Sequence, residues 1–227
     1  MGRLQTIPRP PNMHIVNPTS IRVRTPGGSA VGGRRKRSWE LEEANHICRP
    51  VRVNGLSCKD PAAVVPDDFF FSGVDKLGGT ASKRYGFSAL SVPIPGLNTL
   101  GQSHARVDVA PGGVFPPHYH PRASETAVVL EGSVYFGFLS SYPDNKLFAK
   151  VLRKGDVFAV PHGLVHFLYN NGTAPAAIYA TLSSQNPGLV LLGDALFAGA
   201  LPDDLLAKTL LTDKHTVDHI AANFRRS

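Results

Sequence analysis

The stretch that decides the fold is Gly112–Asn170, whose two ends read GGVFPPHYHPRASETAVVLEG (residues 112–132) and GDVFAVPHGLVHFLYN (residues 155–170). The first end sets His118, His120 and Glu125 close together between glycine and proline turns, and the second supplies His166. Three imidazoles and one carboxylate form a donor set suited to a divalent transition metal such as manganese, iron or zinc. Alternate side chains of a strand share a face, so His118 and His120 point into a barrel together while Tyr119 points away. Glu125 lies an odd five residues beyond His120, and a corner at Pro121–Ala123 is needed to turn it inward. His166 shares a face with Leu164, Leu168 and Asn170, opposite Val165, Phe167 and Tyr169. A hairpin that brings this strand beside the first completes a shell of three nitrogens and one oxygen. Such a shell leaves positions open on a six-coordinate ion, which suits catalysis, and the residual positive charge favours small anions such as superoxide or a dicarboxylate.

Around this stretch the chain reads as short strands punctuated by turns. Val107 and Val109 alternate with Asp108, Ala127 and Val129 continue the face of Glu125, and Val134, Phe136 and Phe138 alternate with Ser133, Tyr135 and Gly137. Further strands are expected at 147–152, 157–160, 165–169 and 177–182, with turns at Lys154-Gly155, His162-Gly163 and Asn171-Gly172. This spacing, with no helix between the strands, points to an antiparallel sandwich or barrel over about 85–185. Helices come last, over about 202–225: PDDLLAKTLLTD carries Leu205, Leu206 and Leu210 at helical spacing, and TVDHIAANF carries Val217, Ile220, Ala221 and Phe224. Asp203 or Asp204 places negative charge at the first helix's start, and Thr216 caps the second. Upstream, VRVNGLSCKDPAAVVPDDFFFSGV reads as an ordered arm packing Phe69–Phe71 on a core.

Charge and composition narrow the function classes. The chain has 227 residues and a net charge of +7. Residues 1–47 hold eight Lys/Arg against three Glu, so five of those seven charges sit on a Pro/Gly-rich leader expected to be disordered. The folded part, 48–227, is nearly neutral and offers no basic face for nucleic acid. RRKR at 34–37 is read as a solvated charge run. No segment approaches the ~18 apolar residues of a membrane span, and the N-terminus lacks the apolar core of a secretory signal. The two cysteines, Cys48 and Cys58, are compatible with a disulfide in an oxidising compartment or with two free thiols.

The spacing Gly112-x5-His118-x-His120-x4-Glu125-x6-Gly132, followed by Gly155-x5-Pro161-x-Gly163-x2-His166-x3-Asn170, resembles both cupin motifs in full. Within the cupins, DDFFFSGV, NTLGQSHARVDVAPGG, PPHYHPRASE, KGDVFAVPHGLVHF and LSSQNPG resemble the plant germin-like proteins over about residues 51–227. The resemblance implies an all-β cupin jelly-roll barrel with C-terminal helices, binding manganese through His118, His120, Glu125 and His166. It also implies a homohexamer clasped by the C-terminal helices, secretion to the apoplast or cell wall in defence and stress, and pairing of Cys48 with Cys58. The implied activity is superoxide dismutase or, in true germins, oxalate oxidase.

The chain departs from the family pattern in three respects. It begins with a basic leader in place of a signal peptide, read as a misassigned N-terminus. Its cysteines are closer together than the family's. The asparagines that true oxalate oxidases set against oxalate align with Ala105 and Phe115, so these two pocket positions lack the amide donors for a dianion, and Phe115 narrows the entrance. The reading adopted is a manganese cupin that disproportionates superoxide, with Asn170 positioning a water that supplies protons. The alternatives are a non-catalytic metal-stabilised binding or storage protein and, less favoured, oxalate oxidase. Asn171-Gly172-Thr173 is a glycosylation sequon, whereas Asn17-Pro18-Thr19 is blocked by proline. His104 near the barrel mouth and His162 in a turn are read as exposed loop histidines, and His215 with His219 as a weak second metal pair.

Overall fold

Thirteen short strands and three helices make up the computed structural model, which describes residues 52–54, 56–76 and 80–225. The leader and Cys48 lie outside the described residues. Strands β1 (Arg52–Val53) and β2 (Leu56–Ser57) form a small ribbon. The arm that follows is held by local bonds: Asp60 accepts from the Ala62 N–H, and Asp68 accepts from the Val65 N–H and pairs with Lys59 at 2.8 Å. Phe69 and Phe70 are exposed, contrary to the aromatic packing expected of this arm. Asp67 and Asp68 fall in a 3-10 turn, Pro66–Phe69, which breaks the extended run.

The barrel consists of β3 (Thr80–Ser82), β4 (Phe87–Ser91), β5 (Ser103–Val109), β6 (Val114–Tyr119), β7 (Glu125–Glu131), β8 (Ser133–Leu139), β9 (Leu147–Arg153), β10 (Val157–Val160), β11 (His166–Tyr169), β12 (Ala176–Leu182) and β13 (Val190–Leu191). They form two antiparallel sheets, ordered β10-β7-β12-β5-β4-β3 and β13-β6-β11-β8-β9. This is the antiparallel architecture expected from the strand spacing, in the double-sheet jelly-roll form that the resemblance implied. Between the sheets lies one apolar core, including Val107, Val129, Phe136, Leu168 and Ile178.

The face of β5 opposite that core is also buried. Arg106 and Asp108 are 4% and 7% exposed and form an ion pair at 2.6 Å, and Arg106 Nη1 donates to the Val74 carbonyl. Alternation alone marks Asp108 as an outward, wet residue. The Val74 carbonyl takes one N–H of Arg106 from above, and a carboxylate this little exposed requires its guanidinium partner.

Three helices close the chain: α1 (Leu192–Phe197), α2 (Asp203–Thr209) and α3 (Lys214–Arg225). The first, six residues long, was not expected from the sequence, because LGDALF is too short to show a helical period. Leu206, Ala207 and Val217 form a second small core with Phe197 against it, while Leu205 and Leu210, at the same helical spacing, are exposed. Asp213, rather than Thr216, caps α3: its carboxylate accepts from the Thr216 N–H at 2.8 Å and from the Thr216 hydroxyl at 2.7 Å. Asp203 pairs with Arg225 at 2.6 Å and so ties α2 to α3.

Candidate metal centre

His118 lies on β6, with His120 one residue past its end. The chain turns at Pro121-Arg122 and enters β7 at Glu125, in the other sheet. The expected corner is therefore a crossover between sheets, and it presents Glu125 from the opposite wall. His166 opens β11, directly across from His118 in an antiparallel pair. The two strands are neighbours through a long connection and not through the expected hairpin, since β7 to β10 intervene in sequence.

A bulge that alternation does not show sets the β6 side of the site. The β6–β11 register runs from His118↔His166 to Phe115↔Leu168, so Pro116 and Pro117 lie opposite the single residue Phe167. Two prolines donate no ladder hydrogen bonds, and the extra residue resets the side-chain alternation. Phe115 and His118, three apart, therefore both face inward and stack with ring centroids 4.0 Å apart. The other face of Phe115 stacks on Phe87 at 4.4 Å. At 7% exposure Phe115 is an inner wall of the site, where a narrowing of the entrance was expected.

Each histidine is oriented by a backbone carbonyl. Nδ1 of His118 lies 2.8 Å from the Pro116 oxygen, Nδ1 of His166 lies 2.9 Å from the Leu164 oxygen, and Nδ1 of His120 bonds the Gly188 oxygen. A carbonyl can only accept, so each Nδ1 carries the proton and each Nε2 of a neutral ring is left with its lone pair. Two of those atoms face Glu125: Oε2 is 3.1 Å from His120 Nε2 and 3.2 Å from His166 Nε2. Donor atoms of His118, His120, Glu125 and His166 all lie within 4.8 Å of one another, the one such metal-holding group among the described residues. Lone pairs converging on a carboxylate oxygen in a buried pocket call for a cation between them, and this donor set fits a divalent metal.

Electrostatics agree with that fit. Burial, reinforced by the neighbouring His166, pushes His118 down to about 3, so its imidazole is neutral and ready to coordinate. Burial opposes ionisation of Glu125, but the close approach of the His120 and His166 rings outweighs it and holds the carboxyl at about 2. Burial also works against charging His120, yet the Glu125 carboxylate and the Gly188 carbonyl together raise its pKa.

Beside the donors is a cavity of about 430 Å3 lined by Ala105, Phe115, His120 and Glu125 among others, so both pocket positions expected from the sequence do line it. Asn170 has a different task from the one expected. It lies beyond the far end of β11 from His166, fully buried, with Nδ2 donating to the Val109 and Ala174 carbonyls and Oδ1 accepting from the Gly172 N–H. Both of its N–H donors are used in locking that turn, which leaves none to position a water. His104 is a strand residue rather than a loop residue. It is half-buried on β5, its Nδ1 is 3.2 Å from Thr181 Oγ1, and its ring stacks on Tyr179. His162 is exposed in its turn, with Nε2 3.1 Å from the Pro121 oxygen. His215 and His219 are exposed on α3 and contribute to no metal group, and Asp218 pairs instead with Lys214 at 2.7 Å. Asn171 and Thr173 are exposed, as is Cys58.

A jelly roll with three histidines and a glutamate converging between its sheets defines a cupin, and the cupin family model matches residues 87–218. The chain is 75% identical over 180 residues to germin-like protein 5-1 of Oryza sativa subsp. japonica, covering 77% of this chain and 78% of that one. It is 48% identical over 177 residues to putative germin-like protein subfamily 1 member 12 of Arabidopsis thaliana, covering 76% and 79%. The solved structure of oxalate oxidase in complex with the substrate analogue glycolate matches with a TM-score of 0.72 at 38% identity, over 78% of this chain and 90% of that one. The chain belongs to the germin-like proteins of the cupin family.

Proposed function

We propose that the protein is a manganese-binding cupin that disproportionates superoxide. The observation that carries this reading is the convergence of His120 Nε2 and His166 Nε2 on one Glu125 oxygen, with His118 neutral beside them. His118, His120, Glu125 and His166 would hold the ion. A carboxylate among imidazoles is compatible with manganese, and the group contains no thiolate to favour a softer metal. Manganese, when bound, would supply one-electron redox chemistry, by which one superoxide would be oxidised to dioxygen and the next, with two protons taken from solvent, reduced to hydrogen peroxide. The chain's own residues orient the donors through the Pro116, Leu164 and Gly188 carbonyls, keep His118 unprotonated, and wall the site with Phe115 and Leu168.

The family resemblance supports secretion to the apoplast or cell wall, and exposed Asn171 is accessible for glycosylation. Exposed Leu196, Leu201, Leu205, Leu210 and Leu211 around the C-terminal helices support assembly, as a homohexamer, through that end. Pairing of Cys58 with Cys48 belongs to the same reading. The oxalate oxidase reading has the likeness to that enzyme in its favour, but Ala105 and Phe115 offer a dicarboxylate no side-chain donor.

The native oligomer is to be assayed for metal content, superoxide consumption and oxalate-dependent peroxide release on one preparation. Near-stoichiometric manganese, superoxide consumption and no peroxide from oxalate are expected. A manganese-loaded oligomer that leaves superoxide untouched overturns the catalytic reading in favour of a metal-stabilised binding protein.

A further inference from the structure

A second cavity adjoins the one beside the donors. Its volume of about 530 Å3 lies within the range of pockets that hold organic small molecules. The turn of the β1–β2 ribbon, the end of β4, the stretch that follows it and the segment 185–186 enclose it. Ser91, Ser103 and Gln185 line both cavities and form their common wall. None of the four metal donors lines the second one, so it stands apart from the metal reading.

Leu56, Val92, Pro93, Ile94, Pro95 and Leu97 give its apolar lining. The rest consists of the amides of Asn54, Asn98, Gln102, Gln185 and Asn186 and the hydroxyls of Ser91 and Ser103. No ionisable residue is among the described lining, so a charged ligand would give up water and meet no counter-charge.

Most of these polar atoms are already committed. Asn54 Nδ2 donates to Asn98 Oδ1 at 3.0 Å and Asn98 Nδ2 to the Val53 carbonyl at 3.1 Å, which ties the ribbon to the segment after β4. Ser103 Oγ donates to the Ser184 carbonyl at 2.7 Å. Gln185 Oε1 accepts from the Gly101 N–H at 2.9 Å, and Asn186 Oδ1 accepts from Arg122 Nη2 at 2.7 Å. A backbone N–H and a guanidinium can only donate, so the atom that each meets is the amide oxygen and the other end of each amide is NH2. Two adjacent lining residues thus have their oxygens spent and their NH2 groups left to donate.

We infer that this cavity binds an uncharged organic molecule with a carbonyl oxygen on an apolar body. The carbonyl accepts from Gln185, with Asn186 beside it, and the body lies against Pro93, Ile94 and Leu97. An ammonium would face donors at this end, and a carboxylate would find donors but no cation. The lining is fastened before any ligand arrives, so binding orders little protein.

The test is calorimetric titration of the manganese-loaded oligomer with acetophenone, benzoate and benzylammonium, which share a ring and differ at the polar end. Acetophenone is expected to bind tightest. Ile94→Trp, which fills the cavity, should abolish its binding while manganese content and thermal unfolding report an intact protein. Gln185→Glu keeps an oxygen for the Gly101 N–H and replaces the NH2 by a carboxylate oxygen. It should weaken acetophenone at least about fivefold and strengthen benzylammonium, whereas a merely structural Gln185 would shift neither preference. Acetophenone binding that is absent from the wild type or unchanged in both variants overturns the inference. So does tighter binding of benzoate or benzylammonium that Ile94→Trp removes. A protein that holds no manganese yet binds acetophenone in this manner supports the inference and overturns only the metal reading.

Discussion

Gly188 connects the wall of the cavity to the metal centre, and Gly188→Ala tests that connection. The residue sits at φ +69, in the left-handed region, and its carbonyl bonds His120 Nδ1. A Cβ there would lie 2.8 Å from Pro121 Cγ and 2.9 Å from Arg122 Nη2. Left-handed backbone costs an L-residue about 1–2 kcal/mol, and relief of the contact with Pro121 pushes Gly188 away from the turn that carries His120. For a chain of this size the strain alone lowers Tm by roughly 2–8 °C. The more informative effect is on the metal: loss of an orienting carbonyl on a ligating histidine typically weakens affinity by about 10–100-fold. Gly155→Ala is the control. Gly155 has φ +88, and a Cβ there meets nothing within 4 Å, so it bears the same backbone cost far from the donors. Chelator competition for manganese and thermal unfolding on both variants separate the two effects. If both lose stability and neither loses manganese affinity, the Gly188 carbonyl does not set His120 and the argument fails.

Three further outcomes are expected. In the metal-free protein His118 should remain neutral down to about pH 3, because burial pushes it there from 6.5, and His120 should protonate above the ordinary value; imidazole resonances in a pH titration read both. Since the unfolded chain protonates His118 near 6.5 and the fold does so only near 3, this residue's contribution is fully present above 6.5. It is lost as pH falls between those values, by up to about 1.4 kcal/mol per unit, and urea unfolding with no such acid weakness, once the opposing effect of His120 is allowed for, counts against the assignment. Asp108→Asn, which removes the carboxylate paired with Arg106 and leaves it only the weaker influence of Glu131 and Asp75, should cost roughly 1–3 kcal/mol in urea unfolding, and no measurable cost would mean that the pair does not hold this face. Asn170→Ala should lower stability by roughly 1–3 kcal/mol through the polar groups it orphans while leaving metal content unchanged; loss of manganese instead would return Asn170 to the site.

The donor set was legible because its residues are chemically rare and closely spaced: a His-x-His pair, a glutamate beyond a proline, and a histidine after Pro-His-Gly mark both motifs without any knowledge of the fold. The helical termini were less legible. LGDALF is shorter than two helical turns, and the solvent exposure of Leu205 and Leu210 depends on which side of α2 meets α3, which period alone does not fix. The task of Asn170 was misread for a similar reason. Its place on the His166 face was correct, but its amide is consumed by carbonyls at 109 and 174 that sequence distance conceals.

By itself, the sequence determined the strand-and-turn architecture, the four donors and the apolar character at 105 and 115, because these follow from residue chemistry and a period of two. Only the tertiary structure decided that Glu125 approaches from the opposite sheet, that the Pro116-Pro117 bulge lays Phe115 against His118, and that Gly188 steers His120. It also decided that Arg106 and Asp108 are buried as a pair. Each of these is a contact between residues on different elements, made by sheet crossover and closure, and such pairings are set by the packed barrel rather than by any local preference of the chain.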